Sequence, residues 1–499
     1  LIVKYVACAS LMLRSAVSAA AASGAFVAAA GEEAGADGFV SAPQALKSNP
    51  QMSNASNAVG RFTAHIISRL RPEGAFMQSV LVIGAGLSGL AAAQKLANAG
   101  QHVIILEARE RMGGRVHTVS DPRLQVPLEL GAEFLHGKPK ELWSIVEKEN
   151  LVVGSIEGDN WCFENNTLRE CNDFRVRWET IAEELKNGDT SPDRSFIEFI
   201  NTISADQETK RSALEFVQGF NAARATDISV QYLATAQETA DRMSGDTQFR
   251  VLAGLDSIVQ SLAQFDASDV ELHFHTPVHE LEWRRRYVRA AGYEADCAIV
   301  TVPLGVLQRG SLRFIPSLEG KATAARALVM GKVVKVILSF HSAFWEERGV
   351  TNLSFLHARG ESFPTWWTTR PIAAPILIGW AGGPPAEQLA SMGESFILNA
   401  AICSLANALK LDARSVEHRI NSYFIVDWQE DPYSLGAYSY IPVGAITAPS
   451  TLAAPVDGTL FFAGEATDSE GRAGTMHGAI ASGYRAAEEL LSMTYRQAA

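Results

Sequence analysis

The strongest patterning in the chain begins at Ser79. Val80-Leu81-Val82-Ile83 is an unbroken aliphatic run, Gly84-Ala85-Gly86-Leu87-Ser88-Gly89 follows at once, and Leu90 to Ala97 has helical composition and spacing. This order predicts a buried strand, a tight turn and a helix. A second apolar run, His102 to Leu106, predicts a strand ending at Glu107, which completes a βαβ-type unit. From Glu141 to Asp246 the chain is polar with apolar residues at helical intervals, as at Phe196, Ile197, Phe199 and Ile200, and reads as an inserted helical bundle. Near the end, Leu460 to Phe462 predicts a strand, and Gly474 to Leu491 is rich in Gly and Ala and then amphipathic, which predicts a closing helix.

Length and composition narrow the class. The 499 residues suggest about three domains or one large interleaved pair. Apolar residues at 47% and charged residues at 20% exclude a disordered, collagenous or polytopic membrane chain. With 55 acidic against 43 basic residues the net charge is −12, which argues against nucleic acid as a general partner. Cys8, Cys162, Cys171, Cys297 and Cys403 are scattered and form no C-x-x-C pair, so free thiols are expected.

Residues 1–76 differ from the rest. The first 50 or so are dominated by Ala and Ser, with Lys4 and Arg14 as early charges and no acid before Glu32. An alanine-rich run drives membrane crossing weakly, so no transmembrane span is expected. A folded extra element is one reading; the two leading ones are an export signal ending near Ala28-Ala29-Ala30, or a miscalled start with Met77 as the true first residue and a cytoplasmic protein. Either removes the segment from the fold.

The glycine turn has a chemical reading. Gly84 permits the turn, Gly86 lets the backbone approach a pyrophosphate, and Gly89 lets helix and strand pack closely; Ser88 lies within the turn, and the helix N-terminus supplies N–H donors. Glu107, at the end of the second strand, suits a ribose diol. Beyond it, Ala108-Arg109-Glu110-Arg111-Met112-Gly113-Gly114-Arg115-Val116-His117-Thr118 sets two glycines between arginines, a loop able to meet a diphosphate through its backbone and a guanidinium.

This combination resembles the R-x-G-G-R-x-x-T signature of the flavin-containing amine oxidase superfamily, which includes monoamine and polyamine oxidases. The likeness runs from about Val80 to Leu491. Leu130-Gly131-Ala132-Glu133-Phe134-Leu135-His136-Gly137 is similar to a segment that passes near the flavin ring. Phe249 to Leu255 resembles a segment with a Gly-Gly pair whose first member is here Ala253, and His275-Thr276-Pro277-Val278 resembles the strand whose valine meets the adenine. Cys297 to Leu307 is similar to the V-T-V-P-L-G-V-L stretch, Asp427 to Tyr440 to W-x-x-D-P-x-S-x-G-x-Y-S, and Gly464-Glu465-Ala466-Thr467 with Gly474 to Ala479 to the closing pattern.

The resemblance implies an α/β fold in which a Rossmann-like FAD-binding domain (77–140, 246–312, 455–495) is interleaved with an α+β substrate-binding domain (141–245, 313–454). It implies that Gly84, Gly86, Ser88, Gly89, Glu107, Ala108, Arg109, Gly113, Gly114, Arg115, Val278, Gly464, Glu465 and Thr475 hold FAD. The binding is noncovalent, because Ala437 stands where monoamine oxidases carry the tethering cysteine. The expected reaction oxidises a primary or secondary amine, polyamines among them, by hydride transfer to flavin N5. It gives an imine and, with dioxygen, hydrogen peroxide.

Tyr438 would orient the amine beside the flavin, and Thr475 replaces a second tyrosine, leaving Trp366 and Trp367 as candidate walls. His136, ordinarily titrating near neutrality, is a candidate base or amine ligand; Glu133 is either a substrate contact or a structural carboxylate. The family's lysine, which holds a water against N5, is expected just after the V-P-L-G-V-L stretch, where Gln308 stands; Lys332 and Lys335 fall on a different strand. That substitution predicts a slow oxidase, or a dehydrogenase with another acceptor. Two alternatives remain: an amino-acid oxidase or desaturase on the same scaffold, and a flavin-binding module with little turnover. His273, His275 and His279 form H-x-H-x-x-x-H, but no cysteine or paired acid completes a metal site, and Arg284-Arg285-Arg286 reads as a hairpin turn.

Overall fold

The structure, a computed structural model, describes residues 79–121, 126–171, 174–266 and 268–498. The readings of the N-terminal segment, and Cys8, lie outside the described residues.

The first strand is Ser79–Ile83, the helix after it Leu87–Asn98, and the second strand His102–Leu106. They belong to a five-stranded parallel sheet in the order Val270–His273, His102–Leu106, Ser79–Ile83, Cys297–Val300, Leu460–Phe462. Both faces are covered, which is why the strands read as continuous apolar runs rather than alternating ones. Val80, Val82, Val103 and Ile105 pack under Leu87–Asn98 and the closing helix Met476–Ala498. Leu81, Ile83, Ile104 and Leu106 pack on a four-stranded sheet that includes Leu281 and Val288. The two helices approach closely at Gly483, where a Cβ would lie 2.2 Å from the Ser88 carbonyl. The sheet thus draws its strands from three distant parts of the chain.

The second layer is a seven-stranded sheet ordered Ile420–Asp427, Val333–Phe340, Ile376–Gly382, Thr365–Thr368, Leu353–Ala358, Asp159–Glu164, Thr167–Glu170. Side chains alternate across it. Val334, Val336, Leu338 and Trp366 enter a core backed by helix Glu394–Leu409, whereas Ile337, Ile378, Val426 and Trp367 face the opposite side. Helices Phe174–Asn187, Phe196–Thr202, Gln207–Phe220 and Val230–Arg242 form the expected bundle. Ser195 caps the second of these through a reciprocal box with Glu198.

Two expectations need correction. The inserted region is not all helical, because the hairpin Asp159–Glu164 and Thr167–Glu170 joins the seven-stranded sheet. Nor are all the cysteines free: Cys162 and Cys171 form a disulfide at the base of that hairpin, while Cys297 and Cys403 remain thiols. Hairpin pairing brings the two together, and sequence spacing alone does not reveal that register. No helix among the described residues is long and apolar enough to cross a membrane.

Candidate active site

One cavity of about 1900 Å³ runs from the glycine turn, past the C-terminal ends of the parallel strands, to the seven-stranded sheet. Gly84, Gly86, Ser88, Glu107, Ala108, Arg109, Gly113, Gly114, Arg115, Val278, Gly464, Glu465 and Thr475 all line it, together with His136 and Tyr438.

The phosphate end is built from backbone. Helix Leu87–Asn98 starts at Gly86 with no side chain capping its first N–H groups, and a Cβ on Gly86 would meet nothing within 4 Å. Uncapped donors facing open space fit a diphosphate. Glu107 is held in place: its Oε2 accepts from the Ala85 N–H at 2.7 Å and its Oε1 from the Arg109 N–H at 2.9 Å. A carboxylate has about four lone-pair sites, so each oxygen keeps one for a ribose hydroxyl. The residues present therefore fit an adenine dinucleotide.

The arginines divide their work differently from expectation. Arg109 turns its guanidinium away from any diphosphate onto Asp431, at 2.8 and 2.6 Å, and onto Ser434 at 3.0 Å, so its contribution to the cavity wall is positional. Arg111 donates to the carbonyls of Met112, Gly114 and Val116 and shapes the Gly113-Gly114 loop. Arg115 joins the Ala437 carbonyl and Glu465 Oε1 at 2.7 and 2.9 Å. Glu465 also binds the Ser439 hydroxyl and the Gly474 N–H, which draws the closing segment onto the cavity. The His275–Val278 segment is a loop rather than a strand, tied to Arg109 and Glu107 by N–H groups of His275 and Thr276. His273 pairs with Glu271 and Tyr293.

At the other end the walls are aromatic. Trp367 stands 5.8 Å from Trp380 and 5.5 Å from Phe134. His136 lies edge-on to Phe220 at 5.3 Å. Burial pushes its imidazole down to about 4, so the ring is neutral at pH 7 rather than poised near its ordinary value. Tyr438 donates its hydroxyl to the Phe220 carbonyl at 2.7 Å. Thr475 spends its hydroxyl on the start of the closing helix, donating to the Arg472 carbonyl and accepting from the Gly478 N–H. Trp366 is excluded from the cavity, buried on the opposite face from Trp367 with its Nε1 on the Phe363 carbonyl.

Gln308 is the main correction. It does not line the cavity; its Nε2 donates to the Ala325 and Leu328 carbonyls at 2.9 and 2.8 Å. The buried lysine of the cavity wall is Lys335, whose side chain is 1% exposed and whose Nζ sits 2.5 Å from Glu133 Oε2, whereas Lys186, also in the wall, is partly exposed and paired with Asp241. Lys335 is the one charge in the apolar strand Val333–Phe340, and that isolation was the available signal. Burial would raise the Glu133 carboxyl, but Lys335 and Arg250 hold it below the ordinary range. Trp380 was also missed; it faces Lys335 across the strand pair.

A dinucleotide cradle on a parallel sheet, opening into an aromatic chamber against the seven-stranded sheet, defines a flavoprotein oxidoreductase. The chain belongs to the family of flavin containing amine oxidoreductases, whose sequence model matches residues 87–177 and 168–491. A pyridine nucleotide-disulphide oxidoreductase model also matches, over 8–125. Polyamine oxidase 5 of Oryza sativa subsp. japonica is 30% identical over 88% of this chain and 92% of its own length. Polyamine oxidase 2 of Arabidopsis thaliana is 29% identical over 82% and 87%. The fold is shared with cyclohexylamine oxidase from Brevibacterium oxydans IH-35A, at TM-score 0.71 and 20% identity over 84% of this chain and all of that one. A putrescine oxidase bound to putrescine gives TM-score 0.71 at 20% identity, over 83% and 99%.

The chain is therefore an FAD-dependent oxidoreductase acting on a small-molecule amine. Its FAD is noncovalent: Ala437 offers no thiol, and the cysteine that lines the cavity, Cys162, is in the disulfide.

Proposed function

We propose that the enzyme oxidises a primary or secondary amine, a polyamine among them, to an imine, with dioxygen as the acceptor. The observation that carries the reading is the aromatic chamber continuous with the dinucleotide cradle, with neutral His136 and the Lys335–Glu133 pair in its wall. Bound FAD supplies the acceptor for the hydride leaving the carbon next to nitrogen. The faces of Trp367, Trp380 and Phe134 exclude water and hold the alkyl chain and its nitrogen. Neutral His136 accepts a hydrogen bond from the amine, which must be uncharged when the hydride leaves. Tyr438, fixed through its hydroxyl to the Phe220 carbonyl, holds one wall in place.

The expectation of a slow oxidase rested on Gln308, and Lys335 removes its ground. An amino-acid substrate would need a cation for its carboxylate, but Lys335 is committed to Glu133, and Arg169, Arg177, Lys186 and Arg359 of the cavity wall each face a carboxylate of their own. The disulfide favours an oxidising compartment, which supports the exported alternative for localisation.

Anaerobic mixing with diamines, polyamines, monoamines and amino acids tests the reading. Flavin absorbance should bleach with polyamines, or with another amine of the panel; bleaching by amino acids alone, or by nothing, would overturn it. A second outcome concerns pH. His136 is neutral above about pH 4, so between about pH 5 and 9 it should add no inflection to the rate of anaerobic reduction, which should rise with deprotonation of the amine. His136→Gln should lower that rate by about tenfold with the profile's shape unchanged; loss of the rising limb would assign the titration to His136 instead.

A further inference from the structure

Lys335 is held by three protein acceptors. An ammonium has three N–H donors. Lys335 Nζ aims them at the Glu129 carbonyl at 2.5 Å, Glu133 Oε2 at 2.5 Å and the Gly131 carbonyl at 3.3 Å. All three acceptors come from one short stretch of chain, which wraps the nitrogen. Glu133 is fixed in turn: its Oε1 accepts from Arg250 Nη2 at 2.7 Å and Trp367 Nε1 at 2.9 Å, and Arg250 Nε donates to the Arg370 carbonyl at 3.0 Å. Glu133, Lys335 and Arg250 are all buried, and burial pushes the neighbouring buried carboxyl of Glu129 up to about 7, so below that pH two cations face one carboxylate and the cluster keeps a net positive charge at the cavity wall. A lone lysine–glutamate pair would cancel. Arg250 restores the field.

We infer that Glu133 is a positioning residue for the oxygen reaction, pinning Lys335 as a fixed positive charge at the cavity wall. The inference rests on the amine-oxidase reading with dioxygen as acceptor. In that step two electrons and two protons pass from the reduced cofactor to dioxygen, which leaves as hydrogen peroxide. Negative charge that builds on oxygen ahead of the protons is lowered in energy by a cation in a low-dielectric wall. Without its carboxylate a buried ammonium turns to water or loses its proton, and the field goes with it.

The test is a double-mutant cycle on the purified holoenzyme, with the two half-reactions followed separately by rapid mixing. Glu133→Gln and Lys335→Met should each slow reoxidation by dioxygen about tenfold or more, the double variant should be no slower than either, and Glu133→Asp should recover most of the rate. In Glu133→Gln the loss in reoxidation should exceed any loss in anaerobic reduction by the amine at least about threefold. A second readout does not use turnover: acylation of lysines by an acetylating reagent, read by peptide mass spectrometry. In the wild type Lys335 should be protected relative to exposed Lys410, as should buried Lys321, which is held by the Thr451, Leu452 and Ala454 carbonyls. Glu133→Gln should expose Lys335 alone.

Additive losses in the cycle, equal exposure of Lys321, or continued protection of Lys335 in Glu133→Gln would overturn the inference. So would acylation of wild-type Lys335 as fast as Lys410, a result that needs no variant to fold. If amines bleach the flavin while the cycle is additive, this inference fails and the proposed function stands.

Discussion

A Gly89→Val variant is expected to purify without colour and to stay colourless after incubation with FAD. A Cβ at Gly89 would lie 2.0 Å from the Gly84 carbonyl oxygen and 3.0 Å from Thr301 Oγ1. The first of these is backbone of the phosphate turn itself, so relief requires the turn to open rather than a side chain to swing away. Gly84 has little freedom to move, because its N–H donates to the Leu106 carbonyl at 2.9 Å and its φ is +107°. Valine adds two methyl groups to the same collision. Opening the turn moves the N–H donors at Gly86 away from the diphosphate, and an affinity loss of at least about a hundredfold should follow. FAD at a hundred times its Kd stabilises the folded state by about 2.7 kcal/mol, and the variant should lose that margin together with any dependence of Tm on added FAD. Absorbance of the purified protein and thermal melts with and without FAD measure both. A yellow variant with wild-type stoichiometry would refute the argument.

The second large effect is on stability. Arg109 and Asp431 form a two-point pair with side chains 8% and 0% exposed, and Asp431 Oδ1 also accepts from the Tyr433 N–H. Arg109→Met strips the charge partner from a buried carboxylate, which costs about 3–5 kcal/mol. Arg109→Met with Asp431→Asn should recover much of the loss, because the uncompensated charge is then gone; equal destabilisation in the single and double variants would count against the pairing as the cause. Burial would raise the Asp431 carboxyl, but Arg109 outweighs it and holds the group below the ordinary carboxylate range. A depressed folded value means this stabilisation is present above about pH 4 and lost as the pH falls further. Acid melts of the wild type should show that loss, and those of the double variant should lack it.

The cofactor half of the fold was readable where burial on both faces makes a strand announce itself. Ser79–Ile83 and His102–Leu106 lie where the aliphatic runs placed them, because glycine and glutamate end each run sharply. The substrate half was harder to read. Adjacent Trp366 and Trp367 are chemically alike, and only the strand's alternation, invisible until its neighbours are known, sends one to the core and the other to the cavity. Gln308 was chosen by its distance along the chain from a motif, whereas the reacting end is assembled across strands, so a lysine from Val333–Phe340 occupies the wall. Cys162 and Cys171 sit in a polar hairpin with weak strand patterning, so no register could pair them in advance.

The order of strands in the parallel sheet has a consequence for biosynthesis. The edge strand Leu460–Phe462 and the helix that seals the glycine turn leave the ribosome only after the whole intervening stretch of chain, although the turn itself is made near residue 84. The nascent polypeptide must therefore keep an exposed, half-built nucleotide cleft in solution until that strand and helix emerge. Capture of the coenzyme is thereby delayed until segments far apart along the chain have met.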